Sequence, residues 1–145
     1  TLIVWPSEES LSIEYSLSND ASTPVQLQDV VIQVPLPEYC SNVSVDSCPI
    51  GSASIDDSGR VLNWLIPFAR SDDSASTNGT LEVNFTSSES GDEQQEAFFP
   101  IQVKFRSSGS VLSGLDIGQV SSTADGSSLG FSREISTDGD ISVRG

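Results

Sequence analysis

At 145 residues the chain fits one domain, long enough to bury roughly 70% of its unfolded surface without help from a metal or a disulfide. Its net charge of -15, from 21 acids against 6 bases, excludes nucleic-acid recognition and strong direct lipid binding, both of which need clustered Lys and Arg. Histidine is absent, which removes Ser-His-Asp and Cys-His catalysis and leaves a zinc site only two cysteines to draw on.

The opening Thr1-Leu2-Ile3-Val4-Trp5 lacks the charged and apolar regions of a secretory leader, so the chain is expected to enter on a strand from within a larger polypeptide. Residues 11–17 (Leu-Ser-Ile-Glu-Tyr-Ser-Leu) alternate apolar and polar with a period of two, the pattern of a half-buried strand. Residues 19–24 read as a turn. Residues 25–34 begin with alternation at Val25 and Leu27. They become continuously apolar at Val30-Val31-Ile32, as in a strand passing deeper into the domain, and Pro35 and Pro37 stop it.

Residues 38–60 read as loop with a short strand at 53–55, and Asp57-Ser58-Gly59-Arg60 turns that strand into a hairpin with residues 61–67. Residues 71–78 read as a polar linker, 79–85 as a strand, and 87–96 as an acidic, Ser-rich loop. Further strands are expected at 99–105, 111–120, 129–136 and 141–143, with Gly114 and Gly118 marking bulges or bends. No apolar run approaches the roughly 20 residues of a membrane-spanning helix, and no helix-period stretch occurs. Eight to nine strands with regular turn signals predict an all-β fold, an antiparallel β-sandwich forming a single domain over 1–145.

Few residues invite chemistry. Cys40 and Cys48 form either one disulfide of a secreted protein or two reduced thiols, the second being favoured. Asn42-Val43-Ser44, Asn78-Gly79-Thr80 and Asn84-Phe85-Thr86 fit a glycosylation sequon, but such triplets arise readily in a Ser/Thr-rich chain. The acidic pairs at 56–57, 72–73 and 92–93 lie in loops without the ligand spacing of a calcium site, and Glu14, Glu82 and Glu134 sit at water-facing strand positions. No metal, no cofactor and no catalytic residue are therefore expected. Trp64 shares one face with Leu62 and Ile66 and reads as core. Trp5, at a strand end beside Pro6, either caps the core or anchors a peptide. Alternation buries one of Phe98 and Phe99, leaving the other as a contact residue; Phe98 is the candidate carried forward.

Three segments carry a resemblance. Trp5-Pro6-Ser7-Glu8 with Ile13-Glu14-Tyr15, then residues 29–37 (Asp-Val-Val-Ile-Gln-Val-Pro-Leu-Pro), resemble the second half of a mu-homology domain, most of all that of coatomer delta subunits. The likeness continues in order through Leu62-Asn63-Trp64-Leu65-Ile66-Pro67, residues 79–83 and residues 98–105. Residues 112–117 (Leu-Ser-Gly-Leu-Asp-Ile) are similar to a strand of clathrin-adaptor medium chains and muniscins. The resemblance implies an elongated all-β module of two sandwich subdomains, one inserted in the other, with this chain holding the inserted one and the closing strands. It also implies a peptide-binding role for Phe131 and Arg133, which match the Trp and Arg of the tyrosine-signal pocket, although Trp has become Phe.

By that resemblance the chain is a non-enzymatic interaction module of a vesicle coat. It would be cytoplasmic, peripheral on Golgi and endoplasmic-reticulum vesicles, and would serve retrograde transport. Its partners would be other coat subunits and short peptide motifs of accessory, tethering or cargo proteins, with basic flanks favoured by the acidic surface. Two rivals stand beside it: an endocytic muniscin or adaptor domain at the plasma membrane, and a secreted, glycosylated adhesion or carbohydrate-binding sandwich.

Overall fold

A computed structural model describes residues 1–18, 24–88 and 97–107, and the backbone of 140–143. The described strands, in chain order, are β1 (Leu2–Pro6), β2 (Ser10–Ser16), β3 (Gln26–Pro35), β4 (Cys40–Ser47), β5 (Ser52–Ile55), β6 (Val61–Arg70), β7 (Asn78–Ser87), β8 (Ile101–Ser107) and β9 (Asp140–Val143). They form two antiparallel sheets, ordered β1-β2-β7-β4 and β5-β6-β3-β8-β9. The expected strands at 111–120 and 129–136 lie outside the described residues.

Alternation along each strand supplies the core. Leu11, Ile13 and Tyr15 of β2 and Leu81, Val83 and Phe85 of β7 point inward from the first sheet. Val30, Ile32 and Val34 of β3 and Leu62, Trp64 and Ile66 of β6 meet them from the second. Opposed residues pack as cross-strand pairs, among them Ile13 with Leu81 and Ile32 with Trp64. Trp64 is fully buried, as its spacing with Leu62 and Ile66 implies. Its Nε1 donates to the carbonyl of Ile50 at 2.8 Å, satisfying the indole, and its ring packs 5.5 Å from that of Tyr15.

The run Val30-Val31-Ile32 is not a strand with both faces buried. Alternation persists, but its parity changes once. Leu27 is buried, Asp29 is exposed, and burial resumes on even numbers at Val30. Asp29 has φ 50, a left-handed conformation that Asp tolerates better than most residues, and the pairing of β3 with β8 slips between Gln28 and Val31. Opposite Asp29, between the pairs Val30↔Ile66 and Gln28↔Phe68, sits Pro67. The parity of β6 shifts there too, from Ile66 to Ala69. β6 therefore runs through Pro67 to Arg70 rather than ending at it. No ladder bond is lost, because β5 pairs no further than Leu65.

One further expectation needs correction, and another, the polar loop after β6, stands with added structure. Residues 40–47 are a strand, not a loop. β4 is an edge whose pairing with β7 slips twice, and its only buried side chain is Cys40, so no period of two marks it. The linker at 71–77 is a hydrogen-bonded cap. Ser71 Oγ accepts from the Val25 amide at 2.9 Å, Ser76 Oγ accepts from the Arg70 amide and donates to Asp73, and the Ala75 amide also donates to Asp73. The Tyr15 hydroxyl donates to the Ser76 carbonyl at 3.1 Å, tying the cap to the core.

The turns set measurable stabilities. Gly51 (φ 76) and Gly59 (φ 70) both occupy the left-handed region, but a Cβ on Gly51 would collide with the Leu65 carbonyl while Gly59 faces open space. Gly59→Ala should cost about 1 kcal/mol and Gly51→Ala at least about 2 kcal/mol more, measured by urea unfolding. Equal losses would show that the Gly51–Leu65 approach relaxes freely. A second prediction concerns acid. Hydrogen bonds from Ser58 and from the Val61 and Arg60 amides hold Asp56 below the usual carboxylate range, and the Ala75 amide and Ser76 do the same for Asp73. A depressed folded-state pKa stabilises above the unfolded value of about 3.9 and is lost as pH falls through the folded one. Asp56→Asn and Asp73→Asn should therefore lower the urea midpoint at pH 6, and the parent's advantage over each variant should shrink below about pH 4.

Candidate peptide-binding surfaces

Burial pushes the Cys40 thiol up to about 11, Arg60 offsetting it only in part, and burial raises Cys48 as well, so both are protonated thiols at neutral pH. Both are free, in line with the reduced reading rather than a disulfide. Among the described residues no three His, Cys, Asp or Glu side chains gather into a metal site, and no helix is long and apolar enough to cross a membrane. A depression of about 170 Å³ lies on the outer face of the second sheet, lined by Gln33, Pro35, Val61, Pro100 and Gln102. Small-molecule pockets run to about 300 Å³ and above, so this depression is closer in size to a single side chain.

The outer face of the second sheet is mixed. Leu65 (40% exposed) stands opposite Val31, and Phe68 (37%) opposite Gln28. Gln33 donates to Asn63 at 2.8 Å between them and the depression. Lys104 and Arg106 rise from β8, Arg70 ends β6, and Arg60 lies in the turn before β6. Arg70 pairs with Asp72 at 2.6 Å and Arg106 with Asp29 at 3.4 Å. Both pairs are solvent-exposed, a setting worth at most about 1 kcal/mol each.

The outer face of the first sheet differs in kind. Ile3 and Trp5 alternate outward from β1 between the buried Leu2 and Val4 and are themselves half-buried. Register places Ile3 opposite Glu14, Trp5 opposite Ser12, Glu14 opposite Thr80 and Ser12 opposite Glu82. Neither Glu14 nor Glu82 has an ion-pair or hydrogen-bond partner among the described residues. No strand of this sheet contains a Lys or Arg; every described Lys and Arg belongs to the other sheet or its turns.

The sequence-derived candidates are dispersed. Trp5 lies on β1, the last described strand of its sheet, with its half-buried side chain outward. Phe98 is 1% exposed, with ring centroids 5.7 Å from Phe85 and 6.5 Å from Tyr39. The chain enters β8 only at Ile101, so the alternation expected from residue 99 does not set which phenylalanine is inside; Phe99 is the half-buried member. Phe131 and Arg133 lie outside the described residues. Glu14 and Glu82 are recognisable from sequence as water-facing, but their adjacency depends on the β2–β7 pairing across more than sixty intervening residues, which no local pattern displays.

Comparison with known proteins supplies the context for these faces. Residues 1–145 match the adaptor complexes medium subunit family. The chain is 32% identical over 117 residues to coatomer subunit delta of Arabidopsis thaliana, an alignment covering 81% of this chain and 20% of that protein. It therefore spans about a fifth of the length of that relative. Among solved structures it is similar to the Fcho1 mu homology domain of Danio rerio with bound Eps15 peptide, with a TM-score of 0.56 and 22% identity over 80% of this chain and 40% of that one. At that identity the likeness speaks for the fold. The two-sheet sandwich is thus a mu-homology fold, and the chain belongs to the adaptor complexes medium subunit family.

Proposed function

We propose that this chain is the peptide-binding module of a coatomer-delta-like vesicle-coat subunit that serves retrograde transport from the Golgi to the endoplasmic reticulum. The observation that carries the reading is the 32% identity to coatomer subunit delta, sustained over 117 residues within a family match to the whole chain. In this reading the protein acts in the cytoplasm, peripheral to Golgi and endoplasmic-reticulum vesicle membranes. It assembles with other coat subunits and holds short motifs of accessory, tethering or cargo proteins against a rigid sheet. The depression on the second sheet, sized for a single side chain, suits a module that works by its surface. Trp5 at the sheet edge, with Phe131 and Arg133 from the tyrosine-signal pattern, are the contact residues we assign.

An endocytic adaptor role is the second reading, favoured by one observation, the shared fold with the Fcho1 domain that has an Eps15 peptide bound. Affinity purification of the tagged full-length protein from its own cells separates the two. Coatomer subunits recovered in stoichiometric amounts, with Golgi fluorescence, are expected. Recovery of clathrin-coat components with plasma-membrane puncta would transfer the module to endocytosis, and recovery of neither would remove the coat-subunit assignment.

A further inference from the structure

The outer face of the β1-β2-β7-β4 sheet has an unusual make-up for a solvated sheet surface. Glu14 and Glu82 stand diagonally on neighbouring strands, because Glu14 faces Thr80 and Ser12 faces Glu82. Diagonal neighbours of this kind lie roughly 7–8 Å apart, close enough for like charges to repel. No Lys or Arg side chain among the described residues relieves them. The four strands contain no Lys or Arg, and neither carboxylate has a described partner. Beside them the same face presents Ile3, directly opposite Glu14, and Trp5, diagonal to it. Both apolar side chains are half-buried rather than covered, since β1 is the last described strand on that side.

We infer that this face is a docking surface for an extended basic peptide, one that lays an apolar side chain on Ile3 and Trp5 and places Arg or Lys on Glu14 and Glu82. The inference rests on the peptide-binding reading above and specifies the surface and the chemistry of the ligand. Charge complementarity selects the occupant. An acidic segment would meet two uncompensated carboxylates with no Lys or Arg in the sheet, whereas a basic one removes their repulsion. An arginine also gains from the face of the Trp5 indole. The field of a chain with net charge -15 speeds the encounter with a cationic ligand and weakens with salt. The other sheet is the poorer candidate for a basic ligand, because it and its turns hold every described Lys and Arg.

The test is selection of a randomised dodecapeptide display library on the immobilised 145-residue chain, followed by affinity measurement of the recovered peptides. Sequences of net positive charge, with Arg or Lys within a few residues of Trp, Leu, Ile or Phe, should be enriched. Glu14→Gln with Glu82→Gln, surface changes that leave the core intact, should weaken them about tenfold, as should raising the salt from about 0.05 M to about 0.5 M. Trp5→Ala should do the same, its fold checked by circular dichroism. Recovery of acidic or neutral peptides would overturn the inference, as would peptides insensitive to the double Gln change. Peptides lost instead on Arg133→Glu or Lys104→Glu would leave the adaptor reading standing while removing this surface. A library that enriches nothing would sink both.

Discussion

The indole of Trp64 is the point through which the two sheets, the crossover between them and the loop at one end are all joined. It sits on β6 of the second sheet with no exposed surface, and its ring lies against Tyr15 of the first. Its Nε1 proton goes to the Ile50 carbonyl, which also accepts from the Cys48 thiol, so the segment connecting β4 to β5 is fixed to the same residue. Tyr15 in turn donates to Ser76, inside the cap held by Ser71 and Asp73. Because that cap receives amides from Val25 and Arg70, the ends of β3 and β6 are anchored as well. A buried aromatic with a polar atom costs free energy unless that atom is paired, so the position of Ile50 is dictated by Trp64 as much as the reverse. Truncating such a side chain costs about 3–5 kcal/mol, a large part of the stability of a domain of this size.

Where one face of a strand is buried and the other wet, a period of two survives in the sequence, and β2, β6, β7 and β8 are legible for that reason. The failures have physical causes. β4 borders one neighbour and contributes one buried side chain, so its residues are free to be Ser, Asn and Asp. The Val30–Ile32 run is continuously apolar in sequence because Val31 faces outward beside the exposed Leu65 while Val30 and Ile32 face the core, and the change of phase after Leu27 at the bulge hides that alternation. Pro67 resembles a terminator, yet its missing amide matters only where a neighbour needs it, and at that point β6 has none on the β5 side. Phe98 lies before β8, where the strand's period does not govern which side chain turns inward. For Val30–Ile32 and for Phe98 the local pattern identified the apolar residues and tertiary context decided their direction.

Charge behaves the same way. The total of -15 is readable from composition, and it points to a cationic or neutral partner, but it carries no information on placement. Folding separates the charges. Among the described residues, Arg60, Arg70, Lys104 and Arg106 all fall on the second sheet or its turns, partly matched by Asp29 and Asp72, while the four strands of the first sheet carry carboxylates and no Lys or Arg. Among the described residues a chain that is acidic on average thus has one mixed sheet face and one acidic one, and only the pairing register reveals it.

That separation is not something the fold itself requires. At outward positions of an antiparallel sheet, Thr, Lys and Glu differ by roughly 0.2–1 kcal/mol, and a Lys opposite or diagonal to a Glu is the more stable choice. A Lys in place of Glu82 would relieve its repulsion with Glu14 without touching Leu81, Val83 or any other core residue. The same holds for Trp5: a polar residue on an edge strand would lower the exposed apolar area and discourage unwanted strand pairing. Both choices run against local stability, and both lie on the same face within reach of one extended ligand. Stability explains the inward half of this sheet; the outward half is what the proposed basic ligand would explain.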